Sequence, residues 1–225
     1  MSSEPTGLSG FIDTNLPTWS VAAEKGQAIP ATFEAYLALA EETDDNLEFS
    51  NGYIISMGNP TDTHEKICAN LIWILNNLFT EADQYEVFGS NLGILLQPSG
   101  AHYRPDVTVL NSPPEYVSHQ VGKRTVKSII NPFAVVEVFS DGTMGYDTTE
   151  KLPNYKQCPT VRYVILAHQY RPFITVYQRT EDPEKWLNRD YMGTESIFSF
   201  EEKAIALKDI YRKVTFPGLS PHPAI

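Results

Sequence analysis

Basic residues are in short supply: 17 lysines and arginines face 28 aspartates and glutamates, giving a formal net charge of −11 over 225 residues. Phosphate backbones are bound through lysine and arginine, so this balance weighs against nucleic acid as a partner unless a local basic patch exists. Cysteine is scarcer still. Cys68 and Cys158 stand far apart with no C-x-x-C spacing, which points away from a disulfide framework or a zinc knuckle, and both read as small apolar residues. No run approaches the ~18 consecutive apolar residues of a membrane span, and the opening MSSEPTGLSG lacks the charged-then-apolar layout of a signal peptide. The expected address is therefore the cytoplasm, with no membrane partner. Internal repeats and low-complexity tracts are also missing.

What remains is ordinary globular material: 42% hydrophobic and 20% charged residues, in a chain long enough to bury a core. Residues 1–30, rich in Ser, Thr, Pro and Gly, read as a flexible arm, 31–212 as one domain, and 213–225 as a Pro-rich tail. Within the domain, ATFEAYLALAEE (31–42) offers Thr32 as a cap before an amphipathic helix. LEFSNGYIISMG (47–58) carries Asn51-Gly52 between apolar stretches, a hairpin signal. DTHEKICANLIWILNNLFTEAD (62–83) spaces Ile67, Leu71, Ile74, Leu75 and Leu78 along one helical face behind the cap candidates Asp62 and Thr63.

Strands are expected over 85–97, 103–110, 133–139, 161–167 and 173–178, an exposed loop with Lys123, Arg124 and Lys127 over 111–132, and a further helix over 148–157. In that helix Thr148 or Thr149 would serve as the cap, so that Pro153 falls in the first turn. Helix, hairpin, long helix, strands, helix and strands make an α/β core with a mixed β-sheet flanked by helices.

One position in this pattern is chemically out of place. In FAVVEVFS (133–140) Glu137 interrupts a run apolar enough to be buried on both faces. A carboxylate there must be paired with a cation, hold a metal, or reach solvent at the strand end. Asp106, after Pro105 at the head of an earlier strand, can converge with it if the two strands are neighbours. Glu48 on the first arm of the hairpin can add a third acid, and Lys151 opens the helix that follows. Carboxylate oxygens converging about 2.1 Å from an ion suit magnesium. A lysine beside them can help deprotonate a water or stabilise charge growing on a phosphate. Taken singly, each residue also has a plain structural use: Asp106 as a turn acid, Lys151 as a solvated helix lysine, Glu48 as an exposed hairpin acid.

The fragments LEFSNGYIISMGNPTDTHEKI, YRPDVTVL, NPFAVVEVFSDGT and YDTTEKLPNY, in that order, resemble the Uma2 family of restriction endonuclease-like proteins, within the PD-(D/E)xK nuclease superfamily. The resemblance runs from about residue 31 to about residue 212. It implies a restriction endonuclease-like fold and a Mg²⁺- or Mn²⁺-dependent DNA endonuclease, with Asp106 and Glu137 as metal ligands and homodimerisation common. Phe139 stands where a lysine two places after the glutamate would be, and the resemblance moves that role to Lys151, preceded by Asp147 and followed by Tyr155. Glu48 and His64 map onto the family's hairpin glutamate and helix-opening histidine. Asp147 and His64 are accessory candidates; His102, near the Pro-Asp pair, is a weaker one.

The family's Ser-Pro-Ser-Thr after the strand is replaced here by Ser140-Asp141-Gly142-Thr143, where Asp141 either adds an acid or disturbs the loop. The Gly-Val-Pro-Glu-Tyr-Trp run is replaced by Pro159-Thr160-Val161-Arg162-Tyr163-Val164. Two other readings stay open: a non-catalytic binding or regulatory protein on the same scaffold, and hydrolysis of a smaller phosphate ester.

Overall fold

The computed structural model describes residues 28–79, 84–140 and 143–216. Most of the expected arm, the end of the tail, and Asp141 lie outside the described residues. Among those described, no helix is long and apolar enough to cross a membrane.

The mixed sheet of the core has the strand order β13-β12-β11-β10-β7-β4. Its centre is β10 (Ala134–Phe139), paired in parallel with β11 (Tyr163–His168) and antiparallel with β7 (Val107–Leu110). Outward lie β12 (Phe173–Arg179), β13 (Trp186–Met192) and, at the opposite edge, β4 (Glu86–Gly89). Every residue of β10 and β11 is buried, as the unbroken apolar runs require of strands covered on both faces. Helix α2 (Asp62–Leu78) covers one face, inserting Ile67, Leu71, Ile74 and Leu75 against Val136 and Val138. The hairpin of β14 (Ile197–Phe200) and β15 (Lys203–Ala206), with α5 (Leu207–Ile210), completes that layer.

The other face of β10, carrying Val135 and Phe139, packs on α4 (Leu152–Gln157) and on a second sheet of order β1-β3-β2-β6-β5-β9-β8. That sheet contains β1 (Ala28–Pro30), the expected hairpin as β2 (Leu47–Ser50) and β3 (Tyr53–Ser56), then β5 (Ile94–Leu95), β6 (His102–Tyr103), β8 (Tyr116–Val121) and β9 (Arg124–Ile129). Asn51 and Gly52 both take positive φ, 52° and 80°, as the tight hairpin turn demands. Helix α1 (Phe33–Glu42), capped by the Thr32 hydroxyl at 3.2 Å from Ala35 N, packs Tyr36 and Leu37 onto β2.

Several expectations are corrected. The stretches 85–97 and 103–110 each divide between the two sheets, because the chain turns at 90–93 and at Arg104-Pro105 instead of running straight. The loop expected over 111–132 is the β8–β9 hairpin, closed by Gly122 at φ 56° with Lys123; its period-2 alternation is masked by polar inward residues such as His119. Lys123, Arg124 and Lys127 are exposed, as expected.

The long helix is capped by Thr61, whose Oγ1 accepts from His64 N at 3.1 Å, not by Asp62 or Thr63. It ends at Leu78, since Phe79 is already extended. The helix expected over 148–157 starts earlier, with α3 (Met144–Tyr146), and reaches α4 through a π-helical turn at Asp147–Lys151. Thr148 and Thr149 do not cap it: their hydroxyls donate back to the Met144 and Gly145 carbonyls. The widened turn, with Leu152 N–H bonded to the Asp147 carbonyl five residues back, accommodates Pro153 just after it.

His102 is structural. Its ring is buried, with Nδ1 2.7 Å from the Tyr36 hydroxyl and Nε2 2.8 Å from the Ser128 hydroxyl, and burial pushes its pKa down to about 3. Gly93 lies directly against this ring; a Cβ there would fall 2.2 Å from His102 Cε1. Because both ring nitrogens are held, the ring cannot swing aside. Gly93→Ala is expected to cost about 1–3 kcal/mol through overpacking, read as a lower urea midpoint at unchanged slope.

Candidate active site

Asp106 and Glu137 come from adjacent strands whose register decides their meeting. Val107 pairs with Val136, so one further step along the antiparallel ladder sets Asp106 opposite Glu137. The ladder does not continue as backbone pairing; instead Asp106 Oδ2 accepts the Val138 N–H at 2.7 Å, which fixes the carboxylate at the strand end. Its Oδ1 lies 3.1 Å from His64 Nε2 in the first turn of α2. Burial opposes charge on His64, but its bonds to Asp106 and Glu65 and their negative charges together hold that imidazole's pKa above its usual value.

Lys151, at the end of the π-helical turn, is only 2% exposed and points inward. Its Nζ lies 2.9 Å from Glu48 Oε1, 3.1 Å from Glu137 Oε1 and 3.8 Å from Asp147 Oδ1. Burial opposes the charge on Lys151, but Glu137, Glu48 and Asp147 together hold its pKa well above the usual lysine value. The ammonium is therefore permanently present at neutral pH.

The carboxylates are further supported by neutral donors. Glu48 Oε1 accepts from Arg104 N at 3.1 Å and Oε2 from the Tyr146 hydroxyl at 3.3 Å. Glu137 Oε1 also accepts from the Tyr155 hydroxyl. The π-helical turn and the start of α4 thus present Lys151 and Tyr155, four residues apart, to the same acid. Of these supporting groups, Arg104 and Tyr146 carry no sequence signal that would have singled them out.

Charge does not balance here. Five carboxylates (Glu48, Glu65, Asp106, Glu137 and Asp147) line the cleft with two fixed cations, Lys151 and Arg104, leaving 5 − 2 = 3 negative charges, or two if His64 is protonated. Burial, reinforced by the neighbouring acids, pushes Glu137 well above the usual carboxylate range, and burial raises Asp147 to about 6. A buried excess of this kind is relieved by a proton or by a cation. All five acids, with Lys151, His64 and Arg104, line one cleft of about 110 Å³. The expected residues Glu48, His64, Asp106, Glu137, Asp147 and Lys151 are therefore brought together in one place.

The family model Uma2, described as a putative restriction endonuclease, matches residues 33–204. The chain belongs to the Uma2 family. Two uncharacterized proteins of Synechocystis sp. are similar to it: sll1609, 27% identical over 169 residues that cover 75% of this chain and 92% of that protein, and slr1290, 27% identical over 187 residues covering 81% and 92%. A crystal structure from Anabaena variabilis, described as a putative nuclease belonging to DUF820, superposes with a TM-score of 0.58 at 16% identity, covering 75% of this chain and 91% of that one. At that identity the Anabaena likeness speaks for the fold, which is that of a protein described as a nuclease.

Removing the buried ammonium leaves Glu48, Glu137 and Asp147 without their counter-charge. Lys151→Met is expected to cost about 3–5 kcal/mol in metal-free buffer near pH 8. The sign with pH follows from the raised acid pKa values: the folded state takes up protons before the unfolded one, so repulsion fades as pH falls, and in the variant it does so above the value of about 6 that Asp147 has while the Lys151 charge lowers it. Urea unfolding should accordingly show a smaller deficit for the variant near pH 5 than near pH 8.

Proposed function

We propose that this protein is a magnesium- or manganese-dependent DNA endonuclease, with Asp106 and Glu137 as the metal ligands and Lys151 as the amine that serves the reaction. The observation that carries this reading is the meeting of those three groups in one cleft. Asp106 and Glu137 sit opposite each other, and Lys151 lies 3.1 Å from Glu137. The donor set fits a hard divalent ion, since it is built of carboxylate oxygens and carries excess negative charge that such an ion would neutralise. When bound, that ion supplies Lewis acidity toward a phosphoryl oxygen and a water of lowered pKa.

The chain's own residues do the rest. Val138 N–H orients Asp106, and Tyr155 with Lys151 orients Glu137. Lys151, kept charged, stabilises negative charge that grows on the phosphate or on an attacking water oxygen. Glu48 from the hairpin and Tyr146 from α3 hold the amine in place. Cutting both strands of a duplex would call for two such sites, and a homodimer supplies them.

One observation favours a second reading, a non-catalytic nuclease-fold protein: Lys151 is 2% exposed and already ion-paired with Glu48 and Glu137. Plasmid relaxation with magnesium or manganese separates the two. The endonuclease reading expects metal-dependent nicking that falls by about two orders of magnitude or more in Asp106→Asn and in Glu137→Gln. Absence of nicking together with absence of metal uptake in calorimetry supports the alternative. Because ligands must be deprotonated to bind, magnesium should also raise the thermal midpoint more near pH 8 than near pH 5, since burial lifts the proposed ligand Glu137 well above the usual carboxylate range.

A further inference from the structure

Beside the carboxylate pair, α2 presents a group with different chemistry. His64 and Cys68 are four residues apart and so share one helix face. Cys68 Sγ lies 3.5 Å from His64 Nδ1 and 4.0 Å from Nε2, and His64 Nε2 lies 3.1 Å from Asp106 Oδ1. One ligand atom from each of the three residues falls within 4.8 Å of the other two. We infer that His64, Cys68 and Asp106 form a second cation site, suited to a thiophilic divalent ion of the zinc or cobalt kind.

Ligand type carries the assignment. Magnesium and calcium take oxygen donors, whereas one sulfur, one imidazole nitrogen and one carboxylate oxygen match the preference of zinc, with bonds of about 2.0–2.3 Å. Bonds of that length at tetrahedral angles put donor atoms roughly 3.3–3.6 Å apart. The 3.1 Å and 4.0 Å separations measured from Nε2 straddle that range, and with all three donors within 4.8 Å of one another side-chain rotation has at most roughly an ångström to close. Asp106 is already oriented for the task, because Val138 N–H holds Oδ2 and leaves Oδ1 directed at His64. Three protein ligands leave a fourth position, and His64 and Asp106 both line the cleft through which a water or substrate oxygen reaches it. On binding, the Cys68 S–H bond breaks, the sulfur lone pair goes to the ion, and the proton leaves to solvent.

A Cys–His–Asp nucleophile relay would use the same three residues. Cys68 argues against it by position: it is 8% exposed, belongs to the core cluster beneath α2, and is not among the groups lining the cleft. Occupation of the site would also draw Asp106 away from Glu137, so zinc would antagonise magnesium. That consequence rests on Asp106 being a magnesium ligand; the site itself does not.

The test is cobalt titration of the full-length protein stripped with chelator. One equivalent of cobalt is expected to produce the near-ultraviolet thiolate-to-metal band together with intense tetrahedral bands in the visible, and zinc but not excess magnesium should bleach them. Cys68→Ser should abolish the near-ultraviolet band, Cys158→Ser should keep it, and His64→Gln or Asp106→Asn should weaken cobalt affinity at least about tenfold. Glu137→Gln, which removes a proposed magnesium ligand, should retain the band, so failure of the nuclease reading stays distinguishable. Absence of the band in wild-type protein that is folded by circular dichroism overturns the proposal. So does a band that survives Cys68→Ser, or rapid alkylation of Cys68 by iodoacetamide without any cobalt spectrum.

Discussion

A single buried ammonium surrounded by acids is the constraint on which the rest of this structure turns. Lys151 brings together Glu48 from the hairpin, Glu137 from the central strand and Asp147 from its own helical segment, within 2.9 to 3.8 Å. Desolvating a lone charge costs several kcal/mol, so neither the lysine nor Glu137 is tolerable without the other. The two sheets are thereby cross-linked electrostatically: Glu48 belongs to the second sheet and Glu137 to the first. Tyr146 then donates to the second Glu48 oxygen, and Tyr155 adds a donor to the Glu137 oxygen that Lys151 already contacts, so the polar cluster is embedded in apolar packing with hydroxyl support for two of its acids.

Much of the fold can be read from the sequence because local signals agree there with long-range packing. Thr32 caps α1, Asn51-Gly52 turns the first hairpin, the Ile67–Leu75 stripe lies against the core sheet, and the apolar run around Glu137 is its central strand. The errors have physical causes. Strands as short as β5 and β6, two residues each, have no periodicity to detect. Polar side chains at inward positions hid the β8–β9 hairpin. The π-helical turn is invisible to a pattern search based on 3.6 residues per turn.

The candidate site divides in the same way. Glu137 can be singled out because it contradicts its surroundings, and Asp106 because it follows proline at a strand head. Nothing about Lys151 alone distinguishes it from a solvated helix lysine; only the family resemblance placed it beside Glu137, and its burial is a property of the assembled fold. His64 is near Asp106 because a helix start and a strand start coincide in space, which no linear spacing encodes. Cys68 shows the converse: it reads as an ordinary apolar residue until the fold sets its sulfur next to an imidazole.

Phe139 occupies the strand position where the related pattern has its lysine, and it packs in the apolar cluster with Val135 and Leu152, its ring edge-on to His168 at 5.1 Å. Delivering the amine from the neighbouring helix frees β10 from serving a cationic group. The strand's composition then answers to burial plus one acid, while the helical segment alone carries the obligation to supply positive charge. Such a separation makes the two modules independently replaceable: a different cation donor can be exchanged on the helix without reopening the packing of the central strand.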